Sequence, residues 1–180
     1  TMYPATTPET LFDLCAKLKR EGALGCLISG GCQPDGSVPL EKFADAIAKV
    51  KRELGLTIIV HTGIINYDAA GLLKEGGVDS ALIDIIGSDE TISEIYNLNV
   101  TTKDYERSLR ALNDSDIAFV PHVIVGLHYG RLKGELNALK MISNYEPSAL
   151  VMIAFMPIRK TEMEEVQPPE PEDIAKVMTT

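Results

Sequence analysis

Cys26-Leu27-Ile28-Ser29-Gly30-Gly31-Cys32 is an apolar run that stops at a glycine pair before a polar loop. Glycine has no Cβ and tolerates φ > 0, so bare backbone there can meet a ligand's polar groups and the chain can turn sharply. Four further apolar runs end in comparable turns. These are His61-Thr62-Gly63, Asp84-Ile85-Ile86-Gly87-Ser88-Asp89-Glu90, Val125-Gly126-Leu127-His128-Tyr129 and Phe155-Met156-Pro157-Ile158-Arg159-Lys160-Thr161. Between them they offer imidazole and carboxylate for proton transfer or ligation, a thiol, and a guanidinium for an anionic group.

Asp84 stands inside Ala81-Leu82-Ile83-Asp84-Ile85-Ile86. A carboxylate within a strand core costs several kcal/mol unless partnered. Its expected place is a polar lining that faces a ligand, with an ion pair to a neighbouring strand or a helix-end contact as the alternative. His61, His122 and His128 raise a metal reading, and His122 and His128 share parity, so they face the same way if one strand carries both. No HxH or HExxH spacing occurs, however, and no metal centre is expected in this chain. His61 reads as a hydrogen-bonding site residue, and His122 as either core or site. The three cysteines form neither an even disulfide set nor a CxxC pair. Cys15 shares an apolar helical stripe with Leu11, Leu14 and Leu18, and Cys26 lies within a strand, so both read as core. Cys32, directly after the glycine pair, stays open to a site role. Gly126 to Gly134 fits neither GxxxxGK[ST] nor GxGxxG, which leaves Walker-type and Rossmann-type nucleotide binding unsupported.

The elements that must position these groups follow a regular beat. Thr7, Pro8 and Glu9 supply a hydroxyl cap, a first-turn proline and an acid for a helix that Gly22 ends. Strands are expected over Leu24–Ser29, Leu56–His61, Ser80–Ile86, Ile117–Leu127 and Ala149–Met156. Helices are expected over Pro39–Leu54, Asn66–Glu75, Thr102–Asn113 and Leu132–Asn144, with a last one beginning near Glu170 after Gln167-Pro168-Pro169-Glu170-Pro171. Apolar strands alternating with amphipathic helices predict a parallel α/β sheet covered by helices, built as one domain over residues 1–180. Five strands make either an open doubly wound sheet or part of a TIM-type (β/α) barrel, and periodicity does not separate the two. In both, ligands bind at the carboxyl ends of the strands.

Composition narrows the partners. Across 180 residues the formal charge is −9, with dispersed lysines and arginines, which disfavours a nucleic-acid footprint. No run approaches the roughly 20 apolar residues of a membrane span. Thr1-Met2-Tyr3-Pro4 lacks the plan of a signal peptide, so a cytoplasmic protein without membrane contact is expected.

Taken together, the strand ends resemble the radical S-adenosylmethionine (SAM) superfamily, nearest its biotin-synthase-like branch. Ser29-Gly30-Gly31-Cys32 stands where that family has a Gly-Gly-Glu-like motif. His122-Val123-Ile124-Val125-Gly126-Leu127-His128-Tyr129 is similar to Gly-x-Ile-x-Gly-x-x-Glu, keeping Ile124 and Gly126. Val100-Thr101-Thr102-Lys103-Asp104-Tyr105-Glu106-Arg107-Ser108-Leu109 is similar to the branch's helix after its fourth strand. Met156-Pro157 with Thr161 resembles a Pro…Gly-Thr turn in which Lys160 replaces the glycine. The defining Cys-x3-Cys-x2-Cys does not occur in this sequence, and Cys15, Cys26 and Cys32 have the wrong spacing to replace it.

The resemblance implies a partial barrel holding strands two to six and lacking the first. It implies a SAM-contacting surface made of Ser29, Gly30, Gly31, Cys32, His61, Asp84, Ile124, Gly126, Phe155, Met156 and Pro157. His128, Tyr129 and Arg159 would face a small-molecule substrate. The [4Fe–4S] cluster and an electron donor would belong to the full-length protein, which would cleave SAM reductively to a 5′-deoxyadenosyl radical. The piece itself would be inactive, and its exposed edge at Leu24–Ser29 would invite oligomers. The alternatives are an aldolase-type barrel enzyme using Asp84 with Lys160 or His61, and a non-catalytic ligand-binding α/β domain.

Overall fold

The computed structural model describes residues 2–180, so Thr1 of the start discussed above lies outside the described residues. Five parallel strands run side by side in chain order: β1 (Gly25–Ile28), β2 (Thr57–His61), β3 (Ser80–Asp84), β4 (Phe119–Val125) and β5 (Val151–Ala154). Doubly wound sheets reverse their strand order part-way, whereas a sequential order is the progression of a (β/α) barrel. The architecture is therefore a five-stranded half-barrel.

Among the described residues, seven α-helices connect and flank these strands: α1 (Pro8–Arg20), α2 (Ala44–Leu54), α3 (Tyr67–Glu75), α4 (Asp89–Ile95), α5 (Thr102–Asp114), α6 (Glu135–Ile142) and α7 (Pro171–Met178). The caps follow local chemistry. Thr7 and Thr10 close a reciprocal capping box on α1, Thr101 and Asp104 do so on α5, and the Asn66 side chain accepts from the Ala69 N–H of α3. The expected Pro39–Leu54 helix begins instead as a 3-10 turn over Leu40–Phe43. Helix α4 falls in a stretch for which the sequence reading assigned none. Ser88 caps it, accepting from the Thr91 N–H, and Asp89 and Glu90 occupy its positive end.

The two sheet faces differ sharply. On the helix side, Ile58, Val60, Ala81, Ile83, Val123 and Val125 are fully buried. On the concave side, the edge strands leave Leu27 57%, Val151 37% and Ile153 40% exposed. Helices thus seal the outer face only, and the inner apolar face is open.

Asp79 ties α2 to the sheet just before β3. Its carboxylate accepts from Lys51 Nζ at 2.6 and 2.7 Å and from the Ile58 N–H at 2.7 Å. Partial burial pushes its pKa up, but the Lys51 and Ile58 hydrogen bonds and the Lys51 charge outweigh that and hold it below the usual 3.8. A depressed carboxylate contributes stability above its unfolded pKa and loses it as pH falls through the folded one. Asp79→Asn is therefore expected to cost about 1 kcal/mol at pH 7, discounted for solvent exposure. The gap to wild type should close below about pH 4. Urea unfolding at both pH values measures this, and a gap that persists in acid would contradict it.

Candidate functional site

Strand alternation and register decide which side chains share the concave face. His61 pairs with Leu82, which pairs with Val120, and Asp84 pairs with His122. His61, Asp84 and His122 thus share one face of three adjacent strands, the first two as the last residues of β2 and β3 and His122 at the middle of β4. Asp84 is the last residue of β3 rather than a mid-strand group, and the final bond to β4 runs from the Ile85 N–H to the His122 carbonyl at 2.8 Å. That corrects the expected Ser80–Ile86 strand and removes the burial problem, since the Asp84 side chain remains partly open.

Asp84 Oδ1 lies 3.5 Å from His61 Nε2 and 3.4 Å from His122 Nδ1, and the two imidazoles meet edge to face with centroids 5.8 Å apart. Burial lowers the His122 pKa, and His61 lowers it further, while the Asp84 charge opposes them. The choice left open for His122 is thereby resolved in favour of the concave face. Two phenols close in behind. Tyr105 is buried and Tyr96 half-buried; burial raises both pKa values first, and the negative charge of Asp84 adds to it. Cys32 is exposed in the loop that follows β1.

The glycine pair behaves differently from the expected sharp turn. Positive φ belongs to its neighbours Gly36 (79°) and Gly63 (60°), not to Gly30 or Gly31. A Cβ on Gly31 would meet no atom within 4 Å, and one on Gly30 only Val38 at 3.4 Å. The fold itself therefore does not require glycine at Gly31, whose backbone borders open space. Ser29, Gly30 and Gly31 line a cleft of about 710 Å³ along the β1 edge, with Leu11, Cys15 and Phe43 on its apolar wall.

His122 and His128 separate, contrary to their shared parity. Strand β4 ends at Val125, and Gly126 turns with φ 79°. His128 Nδ1 then meets Thr91 Oγ1 at 3.2 Å, while its Nε2 faces Glu90 and Glu94, each at 4.0 Å. Lys133 pairs with Glu90. Ile124 stays on the concave face opposite Ile153. Gly126 has its own commitments: its N–H donates to Glu135 Oε1 at 2.8 Å, its carbonyl accepts from the Gly130 N–H, and Pro169 packs where a Cβ would sit. Glu135, a residue to which the sequence assigned no role, is only 5% exposed, and its Oε2 accepts from the Lys133 N–H at 2.6 Å.

Tyr129, Phe155 and Met156 gather with Glu94 and Ile95 around a cleft of about 320 Å³ beyond β5. Pro157 follows Met156, half-buried, while Arg159 and Lys160 are exposed on the next turn. No ion pair is formed by Arg159 among the described residues.

An iron–sulfur cluster needs convergent thiolates. Cys15 of α1 is buried with its Sγ 3.9 Å from Sγ of Cys26 in β1, and that contact and burial push its thiol up; Cys32 is exposed in the loop after β1. These three residues do not form a cluster-binding set. No helix among the described residues is long and apolar enough to cross a membrane.

The Radical SAM superfamily model matches residues 2–130, which hold four of the five strands and the His61–Asp84–His122 group. The chain belongs to the radical SAM superfamily. Members use SAM together with a [4Fe–4S] cluster. Among curated relatives, the biotin synthase of Leptospira biflexa serovar Patoc is 29% identical over 126 residues, 69% of this chain and 35% of that protein. The biotin synthase of Geotalea daltonii is 28% identical over 100 residues, covering 54% of this chain and 29% of its own. The chain thus spans about a third of the length of the relatives it matches, within the biotin-synthase-like branch of the superfamily. Among solved structures, methylornithine synthase superposes with a TM-score of 0.72 at 17% identity, over 98% of this chain and 54% of that one. The [FeFe]-hydrogenase maturase HydG gives 0.70 at 14% identity, over 98% and 42%. An HMG-CoA lyase from Bacillus subtilis also shares the fold, with a TM-score of 0.54 at 15% identity over 84% of this chain and 52% of its own. Fold alone therefore does not separate the radical SAM superfamily from an HMG-CoA lyase; the superfamily match in sequence places the chain with the former.

Proposed function

We propose that this half-barrel is the SAM-contacting part of a radical SAM enzyme that abstracts hydrogen from a small molecule. The superfamily match over residues 2–130, spanning the glycine pair and four of the five strands, carries this reading. The open concave face and uncovered β1 edge support a barrel completed by chain outside these residues, which would also bring the cluster ligands. Until that edge is covered, association of copies along β1 is expected.

Reductive cleavage of SAM to methionine and a 5′-deoxyadenosyl radical is the chemistry that cofactor and cluster supply together, with an electron donor. This chain's own residues bind and seal. Backbone groups of Gly30 and Gly31, beside Ser29 and Cys32, receive the methionine amino group in the space left open at Gly31. Ile124 and the Phe155–Pro157 segment border the adenine, with Gly126 fixing the loop between them. His61 and Asp84 face the space between cofactor and substrate. His128, Tyr129 and Arg159 stand further out, where a substrate would approach. The apolar residues Leu27, Ile59, Leu82 and Val120 line the concave face and exclude water and stray hydrogen donors.

The test uses the full-length protein, loaded anaerobically with iron and sulfide, reduced and given SAM. Methionine and 5′-deoxyadenosine are the expected products, and a cluster-loaded protein that leaves SAM intact would overturn the reading. Gly31→Ala tests the cradle separately. Thermal stability should change by no more than about 0.5 kcal/mol, because nothing stands near the new methyl. SAM affinity should fall about tenfold, or about 1.4 kcal/mol. Unchanged affinity would remove Gly31 from the cofactor site while leaving SAM cleavage standing.

A further inference from the structure

We propose that His61, Asp84 and His122 form a mononuclear site for a divalent transition ion of the zinc and ferrous class. The three donors come from β2, β3 and β4, so sheet register rather than a flexible loop fixes their spacing. Asp84 Oδ1 is the common vertex, 3.5 Å from one imidazole nitrogen and 3.4 Å from the other. Both distances exceed the usual 2.7–3.2 Å of an N–H···O hydrogen bond. They match the roughly 3.4 Å edge of a tetrahedron whose metal–ligand bonds are about 2.1 Å. One ligand atom from each of the three residues lies within 4.8 Å of the other two.

The chemistry of the set points the same way. Two imidazoles and one carboxylate suit zinc, cobalt and ferrous ions better than calcium or magnesium, which favour all-oxygen shells. Metal ligation requires neutral imidazole, and burial already disfavours the charged form of His122. Three protein ligands leave a coordination position directed into the open concavity, where an oxygen or nitrogen of a small molecule completes the shell. The group Glu90, Glu94 and His128 is a weaker competitor. Lys133 already pairs with Glu90, and Thr91 engages the His128 ring.

Metal binding is read without SAM or turnover, so this proposal and the SAM reading fail separately. The full-length protein is stripped with chelator and titrated with Co²⁺, then with Zn²⁺ by calorimetry. One equivalent should give cobalt d–d bands without a thiolate charge-transfer band. Affinity for that equivalent should fall about 100-fold or more in each of His61→Ala, Asp84→Ala and His122→Ala, and stay at the wild-type value in His128→Ala. Cobalt held by cluster cysteines would declare itself by charge transfer and persist in all variants. Because a variant can lose its fold, X-ray absorption of the zinc-loaded wild type provides a second readout, expected to show two imidazole nitrogens and oxygen donors with no sulfur. Wild-type protein lacking a non-thiolate equivalent, or an equivalent indifferent to all three substitutions, overturns the site.

Discussion

Gly87→Ala is expected to lower the melting temperature by about 10 °C, the size of a loss of roughly 3 kcal/mol in a domain of this length. Gly87 follows the carboxyl end of β3, and Gly134 caps α6 after β4; their backbones cross in contact. A Cβ on Gly87 would lie 2.0 Å from the Gly134 carbonyl oxygen and 2.5 Å from the Ala138 nitrogen. Both obstacles are backbone, so no rotamer relieves them, and α6 must shift away from the sheet. Asn137 Nδ2 also donates to the Gly87 carbonyl at 2.9 Å, and a displaced loop loses that bond. The reverse substitution, Gly134→Ala, meets Gly87 and Ser88 backbone at 2.7 Å and forces φ 101° on a side chain. Gly71→Ala supplies the control. It sits within α3 with nothing inside 4 Å of its would-be Cβ and should stabilise by about 0.5–1 kcal/mol. Equal melting temperatures for Gly87→Ala and wild type would show that the crossing is looser than described.

That crossing also marks where local sequence patterns stop informing. The alternation of buried strands and capped helices was readable because each β/α unit carries its own periodicity and its own caps, as at Thr7, Asn66 and Gly55. The choice between half-barrel and doubly wound sheet was not, because strand order is a property of all crossovers together. Register is equally non-local. Asp84 meets His122 only because Ala81 pairs with Phe119, and His61 joins them only because it pairs with Leu82. A window that contains one of these residues holds none of the others, so the three strand residues could be named but not assembled.

Two local signals in the sequence point away from the structure they encode. Ser88-Asp89-Glu90 is a helix start, a hydroxyl cap with acids at the positive end, yet it sits directly behind an apolar strand and reads as that strand's polar exit. The shared parity of His122 and His128 held only while β4 remained extended, and Gly126 at φ 79° ends that. A glycine inside a strand pattern is itself a sequence cue for a bulge or a strand end, and Gly126 stands between the two histidines. Gly31 illustrates the opposite limit. Its type allows both a sharp turn and a close approach to a ligand, and the open space beside it with no positive φ leaves the second.

Glu135→Gln is expected to destabilise the β4–α6 connection by about 3 kcal/mol, although it changes one atom. An acid in the first turn of a helix ordinarily reads as a solvated partner of the helix dipole. Glu135 instead points inward, with Oε1 accepting from the Gly126 N–H and Oε2 from the Lys133 N–H, and it is almost fully buried. A carboxylate can accept at both oxygens; a glutamine amide can accept at only one. One of the two backbone N–H groups therefore faces an N–H₂ donor, losing a charge-assisted bond and gaining a repulsion in a site closed to water. The consequence reaches the candidate site, since Gly126 sets the direction in which the chain leaves β4 after Ile124. Hydrogen exchange should show the Gly126 and Lys133 amides losing protection while Val60 and Ile83 in the sheet keep theirs. In the full-length protein, SAM affinity should drop by more than about tenfold through loss of this support. A Glu135→Gln protein with wild-type stability and a protected Gly126 amide would mean that another group holds the turn, and that the buried carboxylate is not what keeps Ile124 in place.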